Sequence, residues 1–157
     1  MIFYENSPRN ISFKKAKTLM ASTPEFLTPI AVLVDPSLEF IKELVNIGIR
    51  DIQLHGGETV AFCKKIKKEF GLSIYKAINL KNNEDLELVN KYRLVSDWVL
   101  FDYKDENSRG GTGKSFNWEI LRDKNLKYNW ILSGGLDYNN IENAIKITGA
   151  KAIDISS

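Results

Sequence analysis

Cysteine, histidine and long apolar runs are what this sequence has least of: one Cys and one His occur in 157 residues. A single cysteine, Cys63, excludes an internal disulfide and a cysteine-based zinc site within one chain. Its isolation points to reducing, cytosolic surroundings. No stretch approaches the roughly 18 apolar residues of a membrane span. The N-terminus also lacks the basic-then-apolar order of a signal segment. A cytoplasmic, soluble protein is the expectation. Charge of one sign is missing too. Twenty-two Lys and Arg against 20 Asp and Glu leave a net +2, and the lysines are spread along the chain, so the basic footprint of a nucleic-acid binder is absent. The cluster at 64–68 has apolar residues at helical spacing on its other side and reads as a solvated helix face.

What is present is an ordinary globular apolar fraction, 43%, arranged in a repeating rhythm. Short apolar runs lie at 30–34, 52–54, 74–78, 98–101, 130–132 and 152–155, with an edge fragment at 2–4. Most are nearly continuous, as parallel strands covered on both faces are. Amphipathic segments separate them. Ser12 caps a stripe of Phe13, Ala16, Leu19 and Met20. Ser37 opens one of Leu38, Ile41, Leu44 and Val45 that Gly48 ends. Val60, Cys63, Ile66 and Phe70 precede Gly71, and Leu86, Val89 and Tyr92 follow. Segments 116–125 and 141–148 supply two more, with Gly149 closing the last. Seven strands and six helices in alternation predict an α/β fold with a parallel sheet. No Pro- or Ser-rich linker divides the chain, so residues 1–157 read as one domain. The alternation alone does not separate an open doubly wound sheet from a barrel.

Polar residues fall at strand ends: Asp35, His55, Asp102, Ser133 and Ser156. In parallel α/β folds this edge builds the active site, because loops and helix N-termini converge there. Asp and Ser are also common turn and cap residues, the favoured reading for Asp35, which precedes Pro36. Asp102 differs, because it follows an apolar strand and precedes a loop, 104–114, that no cap requires. A carboxyl at the mouth of an apolar strand can be held protonated by desolvation, which suits a general acid. Gly110, Gly111 and Gly113 surround Thr112 and end in Lys114. The spacing is wrong for a nucleotide P-loop, and a glycine-hinged lid fits better. Gly134 and Gly135 follow a strand and precede a helix, where exposed backbone N–H groups can hold a phosphate. Lys76, inside a strand, is odd for a core; projection into a barrel mouth near Asp102 is one reading of it and not the favoured one.

Five of these stretches, taken in order, resemble the signatures of phosphoribosylanthranilate isomerase. They are Gln53-Leu54-His55-Gly56, Leu100-Phe101-Asp102, Gly110-Gly111-Thr112-Gly113-Lys114-Ser115-Phe116-Asn117-Trp118, Leu132-Ser133-Gly134-Gly135-Leu136 and Asp154-Ile155-Ser156-Ser157. Phe3-Tyr4 and Ser7-Pro8-Arg9 resemble the family's second strand and the loop after it. Any one motif is modest, and five in register are specific. The resemblance implies a (β/α)8 TIM barrel and an Amadori rearrangement of N-(5-phosphoribosyl)anthranilate in tryptophan biosynthesis, without metal or organic cofactor. It implies Asp102 as the general acid, Arg9 facing the anthranilate carboxylate, and Gly134, Gly135, Ser156 and Ser157 on the phosphate. His55 would line the site, and Gly110, Gly111, Thr112, Gly113 and Lys114 would form the lid.

The match fails at the ends. The family's base is a cysteine at the end of the first strand, and nothing here corresponds to it. Cys63 lies on a helix stripe, where a packed thiol is the natural reading. A complete barrel takes about 200 residues or more. The expectation is therefore an incomplete barrel, with the first βα unit and the last helix missing, and weak or absent turnover. An open barrel edge would invite self-association into a homo-oligomer. The competing readings are a non-catalytic fragment that binds phosphate or self-associates, and another phosphate-binding barrel such as indoleglycerol-phosphate synthase. The latter needs catalytic lysines and glutamates at strand ends that are not evident beyond Lys76.

Overall fold

The computed structural model describes residues 1–102 and 118–156. Within them strands and helices alternate: β1 (Ile2–Phe3), α1 (Phe13–Ser22), β2 (Ile30–Leu33), α2 (Leu38–Asn46), β3 (Asp51–Leu54) and α3 (Val60–Phe70). Next come β4 (Ser73–Asn79), α4 (Asp85–Tyr92), β5 (Trp98–Asp102), a short 3-10 helix (Trp118–Leu121), β6 (Trp130–Leu132) and α5 (Ile141–Thr148). The strands pair in chain order, and the registered pairs are parallel.

The first three helices begin where a hydroxyl can satisfy an orphan backbone donor. Ser12 Oγ accepts from Lys15 N at 3.2 Å, Ser37 Oγ from Phe40 N at 3.1 Å and Thr59 Oγ1 from Phe62 N at 3.2 Å. At the other end of α5, Gly149 takes φ 68, the left-handed turn that closes a helix at little cost only in glycine.

Two expectations change. The strand expected at 152–155 is instead one parallel bridge, Leu132 to Ile153. Its bonds are Leu132 N to Ala152 O at 3.0 Å and Asp154 N to Leu132 O at 2.8 Å. Strand β6 is only three residues long and ends at Leu132, and this is the one bridge to 152–155 among the described residues. The helix expected over 116–125 is, in its described part, the single 3-10 turn Trp118–Leu121. Asp123 has φ 56 and turns the chain out of helical geometry.

The chain forms two compact units. The first holds Met1–Lys76 with Val95–Asp97. In it alternate strand residues are buried, Ala31 and Leu33 on β2 and Ile52 and Leu54 on β3. Register puts Leu33 beside Leu54 and Leu54 beside Lys76, so all three share one face. Ile41, Leu44, Cys63 and Ile66 of the helices are fully buried. Phe3, Phe13 and Phe40 cluster with ring centroids 4.9 to 5.9 Å apart. The second unit holds Ala77–Leu94 with Trp98–Ser157. Its core gathers Ile78, Leu80, Val99, Phe101, Trp118, Leu121, Leu132 and Ala144.

Candidate active-site residues

In the first unit, the ends of β2 and β3 carry the polar groups. His55 follows β3, and its backbone N–H donates to Leu33 O at 2.8 Å, extending the strand pairing by one residue. Gln53 Nε2 lies 3.1 Å from His55 Nδ1. That contact ties the imidazole to a side chain of β3 two residues earlier. Arg9 is exposed in the turn after β1, with its backbone N–H on Ser7 Oγ at 3.2 Å. Asp35 takes φ 46, and its Oδ1 accepts from Gly57 N at 2.8 Å. That carboxylate ties the loop after β2 to the loop after β3.

Beneath this loop lies a group that sequence reasoning missed. Glu58 is buried, and its Oε1 accepts from Asp35 N at 2.9 Å and Gly56 N at 3.0 Å. Lys76 Nζ donates to Glu58 Oε2 at 2.9 Å, to Gly56 O at 2.8 Å and to Leu54 O at 3.1 Å. Lys76 therefore does not project into a barrel mouth. It occupies the face that Leu33 and Leu54 share and joins a buried ion pair. The signal for it was available: a lysine inside an apolar strand demands a buried counter-charge. Glu58 lies just before α3, 18 positions from Lys76 in sequence, and nothing local marks it as that counter-charge. Cys63 lies close enough to feel both charges, and burial pushes its thiol up to about 11.

In the second unit, Asp102 is the last residue of β5 and is half-buried. Its carbonyl accepts from Leu80 N at 3.1 Å, and Phe101 O accepts from Ser133 N at 2.8 Å. These bonds hold the ends of β4, β5 and β6 together. Ser133 is buried, and its Oγ donates to Asp154 Oδ2 at 3.0 Å, tying the end of β6 to the bridge strand after α5. Gly134 and Gly135 then take φ 87 and φ 66. Among the described residues, a Cβ on Gly135 would meet nothing within 4 Å. Asn140 Nδ2 donates to Gly135 O at 2.8 Å and fixes the turn before α5. Ser156 is exposed. Gly110, Gly111, Thr112, Gly113, Lys114 and Ser157 lie outside the described residues. Among the described residues, no cluster of His, Cys, Asp and Glu could hold a metal, and no helix is long and apolar enough to cross a membrane.

Parallel strands in chain order, alternating helices and polar groups at the carboxyl ends of the strands define an α/β protein of the β/α-barrel type. All 157 residues match the N-(5'-phosphoribosyl)anthranilate (PRA) isomerase family, and the chain belongs to it. It is 39% identical over 158 residues to the N-(5'-phosphoribosyl)anthranilate isomerase of Zymomonas mobilis subsp. pomaceae, covering 99% of this chain and 75% of that one. The crystal structure of phosphoribosyl anthranilate isomerase from Thermotoga maritima superposes with a TM-score of 0.86 at 29% identity, covering 99% of this chain and 75% of that one. A phosphoribosyl anthranilate isomerase in complex with reduced 1-(o-carboxyphenylamino)-1-deoxyribulose 5-phosphate gives a TM-score of 0.82 at 28% identity, covering 100% and 74%.

Proposed function

We propose that the chain acts as a phosphoribosylanthranilate isomerase of tryptophan biosynthesis, converting N-(5-phosphoribosyl)anthranilate to 1-(2-carboxyphenylamino)-1-deoxyribulose 5-phosphate. The observation that carries this reading is the family match over the full chain, with Asp102 at the carboxyl end of β5. In the proposed reaction Asp102 protonates the furanose ring oxygen, the bond from C1′ to that oxygen opens, and a base removes the C2′ proton. Arg9 offers the anthranilate carboxylate a planar fork of donors. Gly134 and Gly135 present backbone N–H groups to the phosphate, joined by Ser156 and Ser157, and His55 lines the site. The lid role that the resemblance implies falls on residues 110–114, outside the described residues.

Cys63 is not placed to serve as a base: it is buried in α3 with its thiol pushed up to about 11, far from the thiolate that a base must be at neutral pH. A fluorescence assay of phosphoribosylanthranilate consumption tests the reading. Turnover that Asp102→Asn lowers about 10²–10⁴-fold supports it. No turnover would favour a non-catalytic phosphate binder.

A further inference from the structure

We propose that Glu58 and Lys76 form a buried positioning pair, which sets the loop carrying His55 and Gly56 against the turn at Asp35. Its bearing on turnover rests on the isomerase reading above. The pair is almost fully enclosed, with 4% of the Lys76 side chain and 1% of the Glu58 side chain exposed. An ion pair so enclosed contributes little net stability, because desolvation offsets most of the attraction. What it does provide is geometry. One carboxylate gathers the backbone N–H of Asp35, the backbone N–H of Gly56 and the Lys76 ammonium. The same ammonium takes the carbonyls of Leu54 and Gly56, the residues on either side of His55. The peptide segment that presents the imidazole is thus held on its N–H side by Glu58 and on its C=O side by Lys76. Both anchors act through the backbone, so neither residue needs to touch substrate.

Two double variants separate positioning from bulk stability. Glu58→Leu with Lys76→Met removes both charges and the acceptor, so no uncompensated charge is left in the core. Glu58→Gln with Lys76→Met removes the charges and keeps an amide oxygen where the carboxylate was. Backbone amide exchange at Asp35 and Gly56, the NMR signals of the His55 ring, and kcat and KM for phosphoribosylanthranilate are measured on the whole chain. In the leucine variant the two amides are expected to exchange about tenfold faster or more, as donors to a charged acceptor should on losing it. The His55 signals shift, and kcat falls about tenfold to a hundredfold with KM changed less. In the glutamine variant protection at Asp35 and Gly56 stays near native, while the His55 signals shift less than in the leucine variant, because the Lys76 bonds to the Leu54 and Gly56 carbonyls are lost in both. Native exchange and native His55 signals in the leucine variant would overturn the proposal. Should that variant fail to fold, the glutamine variant decides: lost protection at Asp35 and Gly56 in a folded protein overturns it equally. Because exchange and the His55 signals need no substrate, they report on positioning even if the native chain shows no isomerase activity.

Discussion

Asp35 and Gly56 meet at one crowded point. A Cβ on Gly56 would lie 2.6 to 2.7 Å from the three carboxylate atoms of Asp35. The carboxylate cannot swing away freely, because its Oδ1 holds Gly57 N and its own backbone N–H is held by Glu58. Gly56→Ala is therefore expected to cost about 1–3 kcal/mol, the range of a lost charged hydrogen bond, read as a lower urea midpoint at unchanged slope. A midpoint equal to the native one would show that the loop yields without loss. The glycine was visible in the Gln-Leu-His-Gly stretch. The reason for it was not, because Asp35 is 21 positions away in sequence and reaches Gly56 only through the parallel pairing of β2 and β3.

Among the elements, helix beginnings were the most legible, since a cap is a contact over three residues. Ser37→Ala should remove the acceptor of Phe40 N and destabilise α2 by about 0.5–2 kcal/mol. By contrast, Lys65 and Glu69 sit 3.8 Å apart on an exposed face of α3. Glu69→Ala is expected to change stability by less than about 0.5 kcal/mol. Thermal unfolding of the two variants side by side checks the contrast, and equal shifts would contradict it. Element ends set by distant partners were the least legible. Residues 152–155 have the apolar pattern of a strand, yet a strand exists only where a neighbour supplies a ladder, and β6 stops at Leu132. Asp97 is a related case. Its Oδ2 accepts from Ile74 N at 2.8 Å and its Oδ1 from Lys67 Nζ at 2.7 Å, joining β4 and α3 just ahead of β5. Nothing in its local sequence marks that role.

For the molecule as a whole, each unit has its own core, and titration inside those cores should set the alkaline limit of stability. Burial raises Cys63 from 9.0 to about 11 in the first unit and Tyr128 from 10.0 to about 12 in the second. In the unfolded chain both groups lose their protons at lower pH than in the native protein. The unfolded state then binds fewer protons, so stability is full below about pH 9 and falls as pH rises through 11 and 12. Urea midpoints measured from pH 8 to 12 should decline in that window, and Cys63→Ala should remove the part beginning near pH 9. A flat profile would mean that neither group stays protonated. In the second unit, Phe101 is 1% exposed and packs on Trp130 at 5.5 Å between centroids. Phe101→Ala is expected to cost about 3–5 kcal/mol by chemical denaturation.

The order of strands and helices, the caps at Ser12 and Ser37, the closing glycines and the family signatures were all determined by sequence alone. Each rests on contacts within a few residues or on a period set by backbone geometry. Tertiary structure alone decided the partner of Lys76, the crowding of Gly56 by Asp35, the link from Ser133 to Asp154 and the reduction of residues 152–155 to one bridge. Those contacts join residues 18 to 21 positions apart. Their pairing follows from strand register, which places side chains of separate βα units on one face, and no local pattern of residues encodes that.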